Sequence, residues 1–370
     1  MSTIADYVAE AVMPYVSRQL ISDETLSRIQ RFSHLLPGPL TDFFGFECTM
    51  PVEEPKTDFL VCCRNLKTAW EYLAGNAADW DFPIELQRDP LWRRIRSFAR
   101  VWTAPWSPLF RAVHNVWLEF DIEEAYDGTP LPNVFLGSHT LRSSGPQVDL
   151  HRIPEQCAWL TDAAMPLLLD RNIDRSLRLQ IARCLSLLPE DANVFQVGLM
   201  LARTSDAVRL CVRGLSGQPI VQYLTAVESD AIGYELVQLL SALATRVARI
   251  DLDFDITDHV LASIGLECYP KAAQVSNFLT YLVELGLCTS AKAEGIKQWQ
   301  GQVGNRSAAY SRLGDLRVGP ESLVCHGFVR SLHHVKLVFS RGRVVNSKAY
   351  LGVHHEKNAA TGCHIRDGGC

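Results

Sequence analysis

Four cationic side chains fall at spacings that let them share a site. Arg209 and Arg213 stand four residues apart in Val208-Arg209-Leu210-Cys211-Val212-Arg213, and a strand would place both on one face, because successive side chains alternate sides. Lys336 sits in the alternating run His334-Val335-Lys336-Leu337-Val338-Phe339, and Lys348 shares a face with Tyr350 in Lys348-Ala349-Tyr350-Leu351. Burying any of these cations alone is expensive. A bound anion, or carboxylates facing them from other strands, resolves the cost. Glu47, Glu119 and Glu267 each stand between apolar residues, and a carboxylate so placed can take a proton from a nucleophile. Asp251, Asp253 and Asp255 occupy one face of a single run. Three carboxylates on one face repel, so they call for Mg²⁺, a positively charged substrate, paired cations or water. An arginine-paired or solvated face is the plainest of these. His333-His334 and His354-His355 fall opposite each other if residues 340 to 346 turn a hairpin. Such imidazoles can hold zinc, although no cysteine partner accompanies them.

The elements that position these groups are short runs, apolar on one alternate face and charged on the other. Trp117-Leu118-Glu119-Phe120-Asp121-Ile122 is one, and Ile250-Asp251-Leu252-Asp253-Phe254-Asp255-Ile256 is another. Strand pairs are expected near 43–64, 116–137, 194–213, 250–269 and 326–354, with turn signals inside each. Helical periodicity covers 5–35, 66–73, 90–114, 154–188, 219–247, 271–287 and 290–299. The stretch 139–152, rich in Ser, Gly and His, reads as a loop or lid, and 356–370 as a disordered tail. The pairs share an apolar-acidic-apolar rhythm, as in Gly45-Phe46-Glu47-Cys48 and Gly265-Leu266-Glu267-Cys268, which points to a repeated unit. Five antiparallel hairpins with helices on their greasy faces can close into a ten-stranded barrel, which removes exposed edges. They can also form an open sheet with helices on one side. Residues 1–355 are expected to make one domain.

The bulk composition bounds what the chain can be. Its 370 residues are 47% hydrophobic and 21% charged, with net charge -5, so no global attraction to nucleic acid or an anionic membrane is expected. The 11 cysteines are scattered through apolar runs and read as reduced, buried thiols of a cytoplasmic protein. Neither a signal peptide nor a stretch of roughly 18 apolar residues is evident. Phosphate-binding P-loops, Rossmann glycines and nucleophile elbows are missing.

Five helix-flanked antiparallel hairpins around a polar interior resemble the aromatic prenyltransferases of the ABBA type, whose α+β fold is the PT barrel. The last strand, with Lys348-x-Tyr350, is also similar to that of a group of bacterial, largely cyanobacterial, proteins ending in a Lys-Ala-Tyr-Leu-like strand. The family resemblance implies an isoprenoid diphosphate held in the lumen by Arg64, Arg209, Arg213, Lys336 and Lys348. It implies a carboxylate, Glu47 on the first strand or Glu119, as base, and Tyr350 and Tyr269 as shields for an allylic cation. Asp253 and Glu267 would line the substrate side. The acceptor would be a peptide, an amino acid or an aromatic small molecule, as in natural-product and RiPP biosynthesis, with Mg²⁺ optional. Asp251, Asp253 and Asp255 depart from the family, which more often places cations there. A non-catalytic barrel that captures a peptide or small ligand is the alternative.

Overall fold

Ten strands close into a ring in the computed structural model, which describes residues 2–64, 67–122, 131–142, 155–203, 205–303 and 325–358. They come as hairpins: β1 (Phe43–Thr49) with β2 (Thr57–Arg64), β3 (Val113–Phe120) with β4 (Pro132–Arg142), β5 (Asn193–Leu199) with β6 (Val208–Arg213), and β7 (Arg249–Ile256) with β8 (Val260–Tyr269). A three-residue β9 (Gly301–Val303) then precedes the last hairpin, β10 (Cys325–Ser340) with β11 (Arg343–Asn358). Neighbours are antiparallel and follow chain order until β11 pairs with both β10 and β1, which shuts the ring. The closed barrel forms, and the open sheet does not. The extra β9 lies along Phe328–Arg330, on the half of β10 that runs past β8. The loop-tip residues 127–130, most of the stretch 139–152 and the tail beyond 358 lie outside the described residues.

One turn corrects the expected register. Ser340 pairs with Arg343 across only Arg341 and Gly342, which have φ of 51° and 75°, the left-handed pair that matches strand twist in a tight hairpin. The turn is therefore shorter than 340–346. His334 consequently faces Tyr350, while His354 faces Val329. The two histidine pairs do not stand opposite each other, and the zinc reading, which needs that register, is not supported. Among the described residues no group of three ligands is placed to hold a metal.

The helices lie outside the ring, and the long periodic stretches break into pieces. Residues 5–35 form two helices, Ile4–Ala11 and Asp23–Ser33. Pro14 cannot continue the first, and the Ser22 side chain caps the second by accepting the Thr25 N–H. The 90–114 stretch stops at Trp102, and Ser107 caps a separate turn, Pro108–Ala112. Within 154–188 the chain divides at Asp170, which is left-handed with φ 57°. Within 219–247 Glu228, φ 59°, follows Gln218–Ala226 and precedes Tyr234–Ala244. Apolar periodicity reports which face is buried, but not where one turn of the chain reverses. No helix among the described residues is long and apolar enough to cross a membrane.

The greasy strand faces meet the helices as alternation requires. Leu118, Phe120, Leu252, Phe254, Val335 and Leu337 are at most 1% exposed and belong to one continuous core. Phe120 shows how: its ring lies 4.5 Å from Phe32 of the helix Asp23–Ser33 and 6.2 Å from Trp92 of the helix Pro90–Trp102. Each such side chain contributes about 1.5–3 kcal/mol by leaving water. The opposite faces are closed off too. Glu119, Asp253 and Lys336 are 5%, 2% and 7% exposed, because the ring wraps around them.

Candidate functional site

The lumen-facing side chains enclose a cavity open to ≈ 110 Å³ of water-sized space. Each hairpin places one glycine on this face: Gly45, Gly137, Gly198, Gly265 and Gly352. Two show what the bare backbone permits. A Cβ on Gly352 would come within 2.8 Å of the Phe43 ring, and one on Gly265 within 2.1 Å of Asp253 Oδ2 and 2.4 Å of Lys336 Cε. Phe43 therefore lies flat against β11, and an ion pair lies flat across β8. Aromatic walls follow from this: Trp117, Phe135, Phe195, Tyr269 and Tyr350 line the cavity together with Phe43.

Charges cross the lumen as a ladder. Lys336 on β10 reaches over Gly265 to bond Asp253 on β7 at 2.7 Å. Arg209 on β6 grips Asp255 with two bonds, 2.8 and 3.0 Å, and stands 3.6 Å from Asp253. Fully buried Asp251 sits between Arg213 and Arg249, each at 3.1 Å. Arg213 also covers the Phe195 ring at 4.2 Å and Arg249 the Tyr269 ring at 3.8 Å. The three aspartates are thus divided among four cations rather than gathered on a metal, and this arrangement does not fit the expected Mg²⁺ site. The cross-strand arginine pairing weighed for this face is what forms.

At the far side Glu47 on β1 accepts bonds from the Lys348 ammonium and the Tyr350 hydroxyl. Burial pushes its carboxyl up, but Lys348, Lys336 and the Tyr350 hydroxyl outweigh that and hold it at about 2. A carboxylate held so firmly is a poor proton acceptor. Glu119 is different: burial and the neighbouring Glu47 push it up to about 7 despite Arg203, the range suited to a base near neutrality. Asp58, opposite Glu47 on β2, is pushed up to about 8 by burial and by Glu47, Glu119 and Asp121. Burial also keeps His333 and His334 neutral, with His334 near 3. His334 stacks on Tyr350 at 4.0 Å.

Of the expected cations, Arg209, Arg213 and Lys336 line one cavity with Tyr269, Tyr350, Glu119 and Glu267. Lys348 faces inward but is committed to Glu47. Arg64 is the exception: at the end of β2 it pairs with Asp42 at 3.1 Å, outside the cavity lining. Glu47 likewise supports the wall from behind Tyr350 rather than lining the space. Glu267 accepts the Tyr269 hydroxyl at 2.8 Å and, among the described residues, has no cation within ion-pair distance.

Several lumen groups were not singled out from sequence. Arg203, just past β5, clamps Asp121 at 2.5 and 2.7 Å and Glu119 at 3.1 Å. Nothing local announces it, since it follows the strand and its partners lie on another hairpin. Arg249 and Asp58 did carry a signal, because each keeps the parity of a recognised group: Arg249-x-Asp251 and Asp58 with Arg64. The lumen glycines carried one as well, one per hairpin at alternate positions from charged or aromatic residues.

No protein-family model and no curated protein matches the sequence. Among solved structures, a 6-dimethylallyl tryptophan synthase is similar at TM-score 0.50 and 12% identity, over 90% of this chain and 96% of that one. The apo form of the prenyltransferase PriB follows at TM-score 0.49 and 13% identity, over 90% of both chains. A 6-dimethylallyltryptophan synthase from Micromonospora olivasterospora, in complex with DMASPP and Trp, gives 0.47 and 12%, over 84% and 81%. The chain has the architecture of the ABBA-type prenyltransferases: ten antiparallel strands closed into a PT barrel with helices outside. At these identities the likeness concerns the fold and leaves the chemistry to the lumen.

Proposed function

We propose that this barrel transfers an isoprenoid unit from an allylic diphosphate to an aromatic acceptor, either a small molecule or the aromatic side chain of an amino acid or peptide. The observation that carries the reading is that Arg209, Arg213 and Lys336 line the same cavity as Tyr269 and Tyr350. The fold-neighbour named as a 6-dimethylallyl tryptophan synthase supports carrying that chemistry to this lumen. In the reaction the allylic C–O bond breaks and its electron pair leaves with the diphosphate, where cations hold it. Tyrosine faces stabilise the allylic cation. An aromatic carbon of the acceptor then bonds the allylic carbon, and its displaced proton passes to Glu119. Glu47, kept ionised, anchors Tyr350.

The test is to incubate the chain with an allylic diphosphate and aromatic acceptors, free or within peptides, and to follow product by mass. Tyr350→Ala is expected to cut turnover by roughly 30-fold, the equivalent of a cation–π contact of about 2 kcal/mol, with a smaller loss in donor affinity. Arg213→Met is expected to weaken donor binding instead. Full activity in both variants would sink the reading. One observation favours a second reading, a barrel that captures a peptide or small ligand without chemistry: among the described residues, each lumen cation is already paired with a carboxylate. A chain that binds aromatic ligands but neither binds nor consumes the allylic diphosphate would decide for it.

A further inference from the structure

The Arg209–Lys336 pair is where an anion would sit, and a carboxylate of the chain is already there. Asp253 is 2% exposed, bonds Lys336 Nζ at 2.7 Å and stands 3.6 Å from Arg209 Nε. Its second oxygen, Oδ2, is buried without a hydrogen-bond partner. It lies against Gly265, the only residue type that leaves room there, since an added Cβ would stand 2.1 Å from that oxygen. Asp255 is not equivalent. Its side chain is 26% exposed and holds the outer edge of Arg209 through two bonds.

We propose that Asp253 is a specificity-determining residue: its carboxylate occupies the anion seat between Arg209 and Lys336, so that an anionic ligand enters only with a proton that neutralises Asp253 or by displacing it. The inference rests on reading this lumen as an anion-binding site and goes further by stating what guards it. The surroundings of Asp253 leave no easy alternative. From β6 it meets Arg209 and Cys211, along β7 it stands between Asp251 and Asp255, from β8 it meets Glu267, and from β10 Lys336. Asp255 and Glu267 thus share this neighbourhood with Asp253, and adding a multivalent anion with every carboxylate ionised would bring like charges together in a buried space. Burial already favours the protonated form of Asp253. Neutral aromatic ligands meet no such barrier. The wall against which they pack is apolar, and Asp253 lies behind Lys336.

Arg209 keeps its two bonds to Asp255 without the carboxylate, and asparagine retains a carbonyl oxygen that can accept a bond from the Lys336 ammonium, so Asp253→Asn is expected to fold. The experiment is calorimetry with inorganic diphosphate as the probe, on the full chain and on D253N, in buffers of different ionisation heat. The wild type is expected to take up a proton on binding, beyond the probe's own, and to tighten as pH is lowered from about 8. At about pH 8 D253N is expected to bind about tenfold tighter than the wild type and to lose one proton from the uptake. Equal affinity of a folded D253N and the wild type would overturn the proposal, as would wild-type binding without proton uptake. If D253N fails to fold, the wild-type proton uptake decides alone. Failure of either protein to bind at any pH removes the anion seat itself, and the proposed function with it. Behaviour as expected, but without prenylated product in the activity assay, removes the transfer reading and leaves the seat.

Discussion

Asp58→Asn should make this protein more stable, and only on the alkaline side. Asp58 lies on β2 opposite Glu47, and its Oδ1 accepts the Ile122 N–H at 3.3 Å. Burial, then Glu47, Glu119 and Asp121, push its carboxyl up to about 8. The sign follows from linkage. Below about pH 4 the aspartic acid is protonated in both folded and unfolded chains, so it costs nothing. From there to about 8 the fold keeps a proton that the unfolded chain gives up, and stability falls as pH rises. At about 1.36 kcal/mol per pH unit the ceiling is ~5 kcal/mol. Asp58 is only half-buried, so solvent screens part of this, and about 2 kcal/mol is a sound expectation. Asparagine is neutral at every pH and keeps the carbonyl oxygen that the Ile122 N–H uses. For a chain of 370 residues the unfolding entropy is about 0.8 kcal/mol/K, so D58N should raise Tm by about 2–3 °C near pH 8 and leave it unchanged near pH 4. Thermal melts of both proteins at the two pH values provide the comparison. A loss of stability that is the same at both pH values would show that Asp58 is a paired, ionised carboxylate, and the account of the acidic cluster would be wrong.

Two further expectations concern the core and the acid side. The indole N–H of fully buried Trp102 donates to the Val113 carbonyl at 2.9 Å, so Trp102→Phe removes that bond along with part of the ring's packing and should cost about 1–3 kcal/mol in a urea titration; a loss under about 0.5 kcal/mol would mean that neither the bond nor the indole packing holds the fold. His334, held neutral near 3 by burial, has a folded value below its unfolded one, so its contribution is present at neutral pH and lost as pH falls from about 6.5 towards 3, at up to about 1.4 kcal/mol per unit. His334→Gln should flatten that acid limb between about pH 6.5 and 4, and an unchanged slope would place the acid sensitivity elsewhere.

The fold was legible in the sequence because strand alternation is a strict period of two. Leu118 and Phe120 against Glu119, or Leu252 and Phe254 against Asp253, fix which face of each strand is apolar; alternation left the ring and the open sheet both possible, and the five hairpins close on themselves. The helices were legible as apolar faces but not as elements, since breaks near Pro14, Asp170 and Glu228 interrupt them without disturbing the period. Nor does the helical period separate Trp102, fully buried, from Trp106, 81% exposed, because the helix ends at Trp102 and the following turn carries Trp106 outward. The site was legible as a set of inward charges, and not as a set of partners. Whether Lys336 meets Asp253 or Glu267 depends on Gly265 leaving the way across β8 open, and that is a fact of register between strands about 70 residues apart in the chain.

What separates this lumen from a simple cationic pocket is its balance of charge. Arg203, Arg209, Arg213, Arg249, Lys336 and Lys348 face Glu47, Asp58, Glu119 and Asp121 on one side and Asp251, Asp253, Asp255 and Glu267 on the other. With every carboxylate ionised the interior would be net negative. Asp58 near 8 and Glu119 near 7 retain protons around neutrality and bring it close to balance, which is the only state that a dry interior tolerates cheaply. A balanced interior admits an uncharged aromatic without penalty and an anion only with compensating protons. Acceptor and donor would therefore respond to pH in different ways. The ionised fraction of Glu119 grows as pH rises, which favours proton removal from the acceptor, while the anion seat is freed as pH falls. A transferase built on these groups should slow as pH falls through about 7, where Glu119 takes up its proton, and should lose donor affinity as pH rises in a way that D253N relieves, whereas a passive ligand-binding barrel should show no such loss of turnover on the acid side.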